Sequence, residues 1–574
     1  MRSSVIKHND LWHTRPAQDE PDDEGRCRVR NTGRSIGTHL AGQCAWRPRL
    51  APADARPNGR SKVSPPNQPN IVVVMYDQLA PAMLGCYGHP SARSPRIDAL
   101  AAEGVVFDAA YSNSPLCTPA RYCMMTGQLP STSGGFDNAA YLASTIPTFA
   151  HIARAAGYRT VLSGKMHFVG PDQLHGFEER RTTDIYPADF GWTPDWDHPG
   201  ERVDWWYHNM DSVIGAGVAE STNQLRFDDE VGHQAIRALH ELAPRDDGRP
   251  FLLVASFTHP HDPYVTRRHL WDRYDGVDIP TPVVSAADVA PDDPLSARLR
   301  VAVVAGAMTV TDEQVLAARR AYLGNVSYVD DWTGRIVDTL SALGCADDTV
   351  IVLLADHGDM LGERGLWYKM SFFEGSARIP LVVHAPRHFS ARRVPDPVSL
   401  VDVLPTIVDL AGADLGEVAH VAPIVGKSLL PLCTDPSGAP AKREVRGEYM
   451  AEGSVAPIVM IRRDTLKYVH CEADPDQLYD LSADPYERKN LAPEPAWAET
   501  LAALRSEVTA RWDLADLYQR VLADQRRRHF VDRSLRIGLH TGWEYTPPRA
   551  GTAEYMRNNL DLNEVERSAR WPRA

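Results

Sequence analysis

The segment Ser114-Pro-Leu-Cys117-Thr-Pro-Ala-Arg121 carries the densest chemistry in the chain. Thr118 followed by Pro119 is a helix-start signal, because a proline in the first turn loses no hydrogen bond. Cys117 is therefore expected beside a helix N-terminus, where unpaired amides and the helix dipole favour negative charge. Arg121 follows one turn later on the same face. A lone cysteine is most often a small buried hydrophobe, so its neighbours carry the argument. A cysteine phosphatase needs an arginine where this chain has Cys123, which disfavours that nucleophile class.

Two acids stand at the ends of apolar runs. Asp77 closes Ile71-Val-Val-Val-Met-Tyr76, and Asp356-His357 follows Val350-Ile-Val-Leu-Leu354. Such runs read as buried parallel strands, and ligands of open α/β sheets gather at carboxyl ends. Two strands ending on acids are the beginning of a metal site. In Gly164-Lys165-Met166-His167, Lys165 and His167 are two apart, so on an extended segment both point to one face.

The elements that must position these groups alternate. Helical patterns at 94–104, 148–157 and 229–242 are interleaved with apolar runs at 158–162 and 251–257. The fold class expected is α/β, with a mostly parallel central sheet flanked by helices. Beyond about residue 440, strand patterns at 455–462 and 466–470 and an amphipathic pattern at 496–512 predict a smaller C-terminal α+β subdomain. The organisation read from these shifts is a disordered extension over 1–66, a catalytic domain over 67–440, the subdomain over 441–524 and a tail over 525–574. Residues 1–66 are rich in Arg, Pro, Gly, Asp and Ser, with no apolar periodicity.

The net charge of −14 with interspersed signs offers no basic stripe, so no nucleic-acid partner is expected. No apolar run approaches the roughly 18–20 residues of a membrane span, so no membrane partner is expected. The eight cysteines form no C-x-x-C pairs, which argues against zinc or a disulfide framework and for a reducing compartment. With no apolar segment of signal type near the N-terminus, a cytoplasmic location is expected.

Cys117, Pro119 and Arg121 resemble the C-x-P-x-R modification signature of the sulfatase family, within the alkaline phosphatase superfamily. There the cysteine becomes formylglycine, whose hydrate offers one hydroxyl to attack sulfur and another to expel sulfate afterwards. Gly164-Lys165-Met166-His167 is similar to the family's G-K-x-H element and His259-Pro-His261-Asp-Pro263 to its P-H-x-P element. Ala355-Asp356-His357-Gly358-Asp359 resembles its second metal strand, and Leu478-Tyr-Asp480-Leu481 with Asn490-Leu491 its C-terminal signature. The resemblance implies that Lys165 holds formylglycine and sulfate oxygens and that His167 deprotonates the hydroxyl whose collapse releases sulfate. It places His261, rather than His259, with Lys369 on the leaving-group side. It also implies a divalent metal on Asp77, Asp356, His357 and an oxygen of modified Cys117, with Gln78 as an extra ligand. Calcium ranks first and manganese, tolerant of one imidazole, second.

The stretches 164–177, 184–192, 204–207 and 256–264 resemble the family's choline-sulfatase branch more closely. Choline's quaternary ammonium donates no hydrogen bond, so aromatic faces and a carboxylate must hold it. Trp192 is the expected face, among Trp196, Trp205 and Trp206, and Glu448 the expected charge, with Glu452 as its rival. Asn138 and the tail residue Asp561 complete the implied substrate set, and the tail is expected to join subunits and close the pocket. The substrate implied is a small sulfate ester, choline-O-sulfate; the partners implied are a formylglycine-generating enzyme and further copies of the chain, as dimer or tetramer. The competing readings are a phosphonate monoester or phosphodiester hydrolase of the superfamily, and a non-catalytic scaffold, which would have lost some of these residues.

Overall fold

The opening strand, Asn70–Asp77, is buried along its whole length and lies at the middle of a nine-stranded sheet. The structure is a computed structural model that describes residues 68–199, 202, 208–244, 247–289, 293–305, 308, 310–434, 443–548, 555 and 561–570, all in a unit spanning Val63–Ala574. The expectation for residues 1–66, and the candidates Trp205 and Trp206, lie outside the described residues.

Parallel neighbours Thr349–Ala355 and Phe251–Pro260 flank the opening strand, and Arg159–Gly164 follows Phe251–Pro260. Burial on both faces explains why these strands read as unbroken apolar runs rather than alternations. On the far side, Leu381–His384 runs antiparallel between Thr349–Ala355 and Val105–Tyr111, and Arg392–Ser399 closes the edge in parallel with Val105–Tyr111. The fold is the expected α/β architecture, with a few antiparallel pairings at one side.

Helices Asn223–Leu242 and Asp312–Ala342 pack on each other and on Phe251–Pro260, while Cys117–Thr126, Phe149–Ala155 and Val403–Leu410 form a second group. Register then decides the site. Tyr76 pairs with Ala355, which sets Asp77 level with Asp356, and Gly164 pairs with Ser256, which brings Lys165 to the same sheet edge.

A separate antiparallel sheet of Glu444–Tyr449, Ile458–Arg463, Leu466–Cys471 and Asp474–Asp480 buries Val459, Ile461, Tyr468 and Leu478 against Leu501, Leu504 and Val508 of helix Ala498–Arg511. Helix Leu514–Leu535 then runs back, setting Leu517, Val521 and Leu522 on Phe136, Trp196 and Met450. The boundary expected at 524/525 falls inside this helix. Its second half reads as polar because the buried positions are Gln525 and Arg528: Gln525 accepts the Trp196 amide at 3.0 Å, and Arg528 pairs with Asp137 at 2.6 Å.

Candidate active site

Helix Cys117–Thr126 is wholly buried and begins at Cys117. Leu116, at its N-cap position, has no side chain able to accept a hydrogen bond; the carboxamide oxygen of Asn138 takes the Thr118 amide instead, at 3.0 Å. Asn138 thus orients the turn that carries Cys117. The thiol sits 3.7 Å from Asp77 Oδ1 and 3.4 Å from His357 Nε2. Burial, with Asp77 beside it, pushes the Cys117 thiol up to about 11, so as a free thiol it is a poor nucleophile.

One turn on, Arg121 binds the two acids together, with Nη2 at 2.9 Å from Asp77 and Nε at 2.9 Å from Asp356. Its remaining nitrogen donates to the Lys165 carbonyl at 2.7 Å and the Ser256 hydroxyl at 2.9 Å. Lys165 pairs with Asp77 and lies 4.3 Å over the Tyr186 ring. Burial opposes the Asp77 charge, yet Lys165, His261, Arg121 and His357 hold its carboxyl well below the usual range. Burial, reinforced by Asp77, pushes Asp356 up to about 6. Two fully buried acids of opposed shift are a place where a cation relieves repulsion. Ligand atoms of Asp77, Cys117, Asp356 and His357 all lie within 4.8 Å of one another, and the four residues are buried. This set fits a divalent metal.

Gln78, at φ 64°, turns its carboxamide elsewhere: the oxygen accepts from Lys369 at 2.6 Å and the nitrogen donates to Asp359 at 2.7 Å. His167 also has a left-handed backbone, φ 58°, so the alternation expected for 165–167 is broken at its second member. Asp184 accepts the His167 amide at 2.9 Å and stabilises that turn. The His167 ring packs near Tyr186 and edge-on to Trp192, at 5.2 and 5.7 Å. Both its nitrogens are buried without a hydrogen-bond partner. Burial and then Lys165 press its pKa down to about 3, leaving a neutral ring able to accept a proton.

His261 Nε2 lies 2.9 Å from Lys369 Nζ, whereas His259 points away to Asp228 at 2.7 Å. Trp192 stands beside Tyr186, ring centres 5.3 Å apart. Trp196 is core, stacked on Tyr518. Glu448 is consumed by the Ser131 amide and hydroxyl and the Trp512 indole, at 2.6–2.7 Å. Glu452 differs: its Oε2 is buried without a hydrogen-bond partner, and burial followed by Asp137 raises its carboxyl to about 8. Asp561 is exposed and caps helix Leu562–Ala569. Ser256, Tyr186, Asp184 and Asp262, which lie within the stretches 184–192 and 256–264, belong to the same neighbourhood without having been singled out as site residues, and His208 joins them through Asp262.

Residues 69–413 match the family described as Sulfatase, residues 362–513 the C-terminal family of N-sulphoglucosamine sulphohydrolase, and residues 519–571 the family described as Choline sulfatase enzyme C terminal. A choline-sulfatase of Rhizobium meliloti is 48% identical over 512 residues, 88% of this chain and 99% of the relative. An arylsulfatase of Clostridium perfringens is 26% identical over 76% of this chain and 93% of its own length. Among solved structures, a phosphonate monoester hydrolase of Agrobacterium radiobacter superposes with a TM-score of 0.61 at 24% identity, covering 77% of this chain and 95% of that one. That likeness concerns the fold.

Proposed function

The chain belongs to the sulfatase family and is a sulfuric ester hydrolase, and from this we propose that it cleaves choline-O-sulfate to choline and sulfate. The observation that carries the reading is the Cys117 thiol, buried at the meeting of Asp77, His357 and the Arg121 clamp, where an unmodified thiol has little use.

Formylglycine at position 117 supplies, once formed by a maturation enzyme, the paired hydroxyls needed for attack on sulfur and later release of sulfate. A metal on Asp77, Asp356, His357 and residue 117 supplies positive charge to the sulfate oxygens; calcium fits the oxygen-rich set first, manganese second. Gln78 acts on Lys369 rather than on the metal. Arg121 and Lys165 keep the acids ionised and in register, Lys165 also facing the sulfate. The neutral His167 ring takes the proton whose loss lets sulfate go. Lys369 and His261 face the departing oxygen.

Trp192 and Tyr186 offer ring faces to the ammonium. Of the two candidate acids, Glu452 supplies the opposite charge, because Glu448 is already saturated. Comparing kcat/KM for choline-O-sulfate, 4-nitrophenyl sulfate and a phosphodiester tests the proposal. Choline-O-sulfate should lead, since its ammonium positions the sulfur from a distance; a lead for the phosphodiester would overturn it.

A further inference from the structure

Asp262 follows His261 directly and is buried against two imidazoles at once. Its carboxylate lies 3.1 Å from His208 Nδ1 and 3.2 Å from His261 Nδ1, and it also accepts from Gln78 Nε2 and Ser212 Oγ, both at 3.3 Å. The Asp262 carbonyl oxygen stands 2.7 Å from His261 Nδ1. A carbonyl oxygen and a carboxylate oxygen only accept, so Nδ1 of His261 must carry the hydrogen. In the neutral ring Nε2 is then a bare lone pair, and it faces Lys369 Nζ at 2.9 Å, which donates to it.

On the sulfatase reading above, we propose that Asp262 is a positioning residue for leaving-group departure: it locks His261 in the Nδ1–H tautomer, and His261 thereby aims the Lys369 ammonium, the proton donor, at the departing oxygen. As the ester S–O bond breaks, its electron pair stays on the leaving oxygen while the nucleophile oxygen closes on sulfur. The leaving oxygen takes a proton from Lys369 Nζ, the attacking hydroxyl releases its own proton to solvent, and the amine regains one from water after the alcohol leaves. His208, ring centre 5.0 Å from that of His261, braces the same carboxylate from the other side.

The test is a leaving-group series: substituted phenyl sulfates from 4-nitrophenyl to methoxyphenyl, plus choline-O-sulfate, with wild type and Asp262→Asn. Proton donation matters most where the leaving oxygen is most basic, so Asp262→Asn should slow choline-O-sulfate by roughly ten- to a hundredfold and 4-nitrophenyl sulfate by no more than about threefold, steepening the dependence on leaving-group pKa. A uniform drop across the series, or an unchanged slope, overturns the proposal. If Asp262→Asn does not fold, His208→Gln is taken through the same series and should also steepen it; an unchanged slope there is equally fatal. Wild type inactive on every ester would instead defeat the sulfatase reading.

Discussion

The Cys117 sulfur stands 3.4 Å from Nε2 of His357, although 240 residues separate them in the chain. Parallel register explains the meeting: the strand ending at Ala355 lies beside the one ending at Asp77, and the helix beginning at Cys117 points its first residue across both ends. The residues proposed as nucleophile and metal ligands therefore meet at one sheet edge.

Asp356→Asn removes a charged ligand and leaves Arg121 short of one partner. Activity should fall to a few per cent or less, and bound metal, read by elemental analysis, should fall with it. A buried pair broken on one side costs roughly 3–5 kcal/mol, so the melting temperature should drop as well. Full turnover by wild-type enzyme stripped of all divalent metal would contradict the metal assignment.

Glu452 has its carboxyl raised from the usual 4.5 to about 8 by burial. The folded chain therefore holds a proton that the unfolded chain has released. Its stabilising effect is complete below about pH 4.5 and is lost as pH rises to about 8, with a slope of up to about 1.4 kcal/mol per pH unit. Denaturation of wild type and Glu452→Gln across that range should show a shallower slope in the variant, the difference being the Glu452 contribution, because Asp356, Asp330 and Asp359, also raised by burial, titrate in both proteins. An ammonium placed beside Glu452 favours the carboxylate, so choline should also bind the wild type more tightly at pH 8 than at pH 6.

Much of this site was legible in the sequence, and the reason is local. Asp77 and Asp356 end β-branched runs, and Cys117, Pro119 and Arg121 lie within one helical turn, so spacing gives each residue its place on an element, the family resemblance implies their joint role, and strand register brings them together. His208, Asp262, Tyr186 and Asp184 are different: they meet through loops that fold back over the sheet edge, and no periodicity marks them. The choice between Glu448 and Glu452 was equally hidden, because it depends on Ser131 and Trp512, more than 60 positions distant from Glu448 in either direction. Helix Leu514–Leu535 runs across the boundary expected at 524/525, because Gln525 and Arg528 look solvent-facing until their partners are seen.

Trp192→Ala removes a ring face and no charge. Loss of a cation–π contact is worth roughly 1–2 kcal/mol, so kcat/KM for choline-O-sulfate should fall about five- to thirtyfold. For 4-nitrophenyl sulfate, which has no cation to lose, the fall should be several times smaller. Equal losses on both esters would remove Trp192 from ammonium recognition.

The tail touches the same wall. Trp543 packs edge-on against Phe190 at 5.1 Å, and Tyr545 lies 5.7 Å from the guanidinium of Arg180, which pairs with Asp184 at 2.6 Å. Truncation after Thr541 should raise KM for choline-O-sulfate and weaken oligomerisation, read by light scattering. A truncated protein of unchanged mass in solution and unchanged ester selectivity would show the tail to be dispensable.

The most direct test is the mass of the peptide ending at Arg121, taken from a preparation whose turnover of choline-O-sulfate has been measured. Residue 117 should carry an aldehyde or its hydrate in place of CH2SH, the converted fraction should scale with specific activity across preparations, and Cys117→Ala should be inactive. A fully active preparation in which every copy of Cys117 retains its thiol would contradict the formylglycine reading.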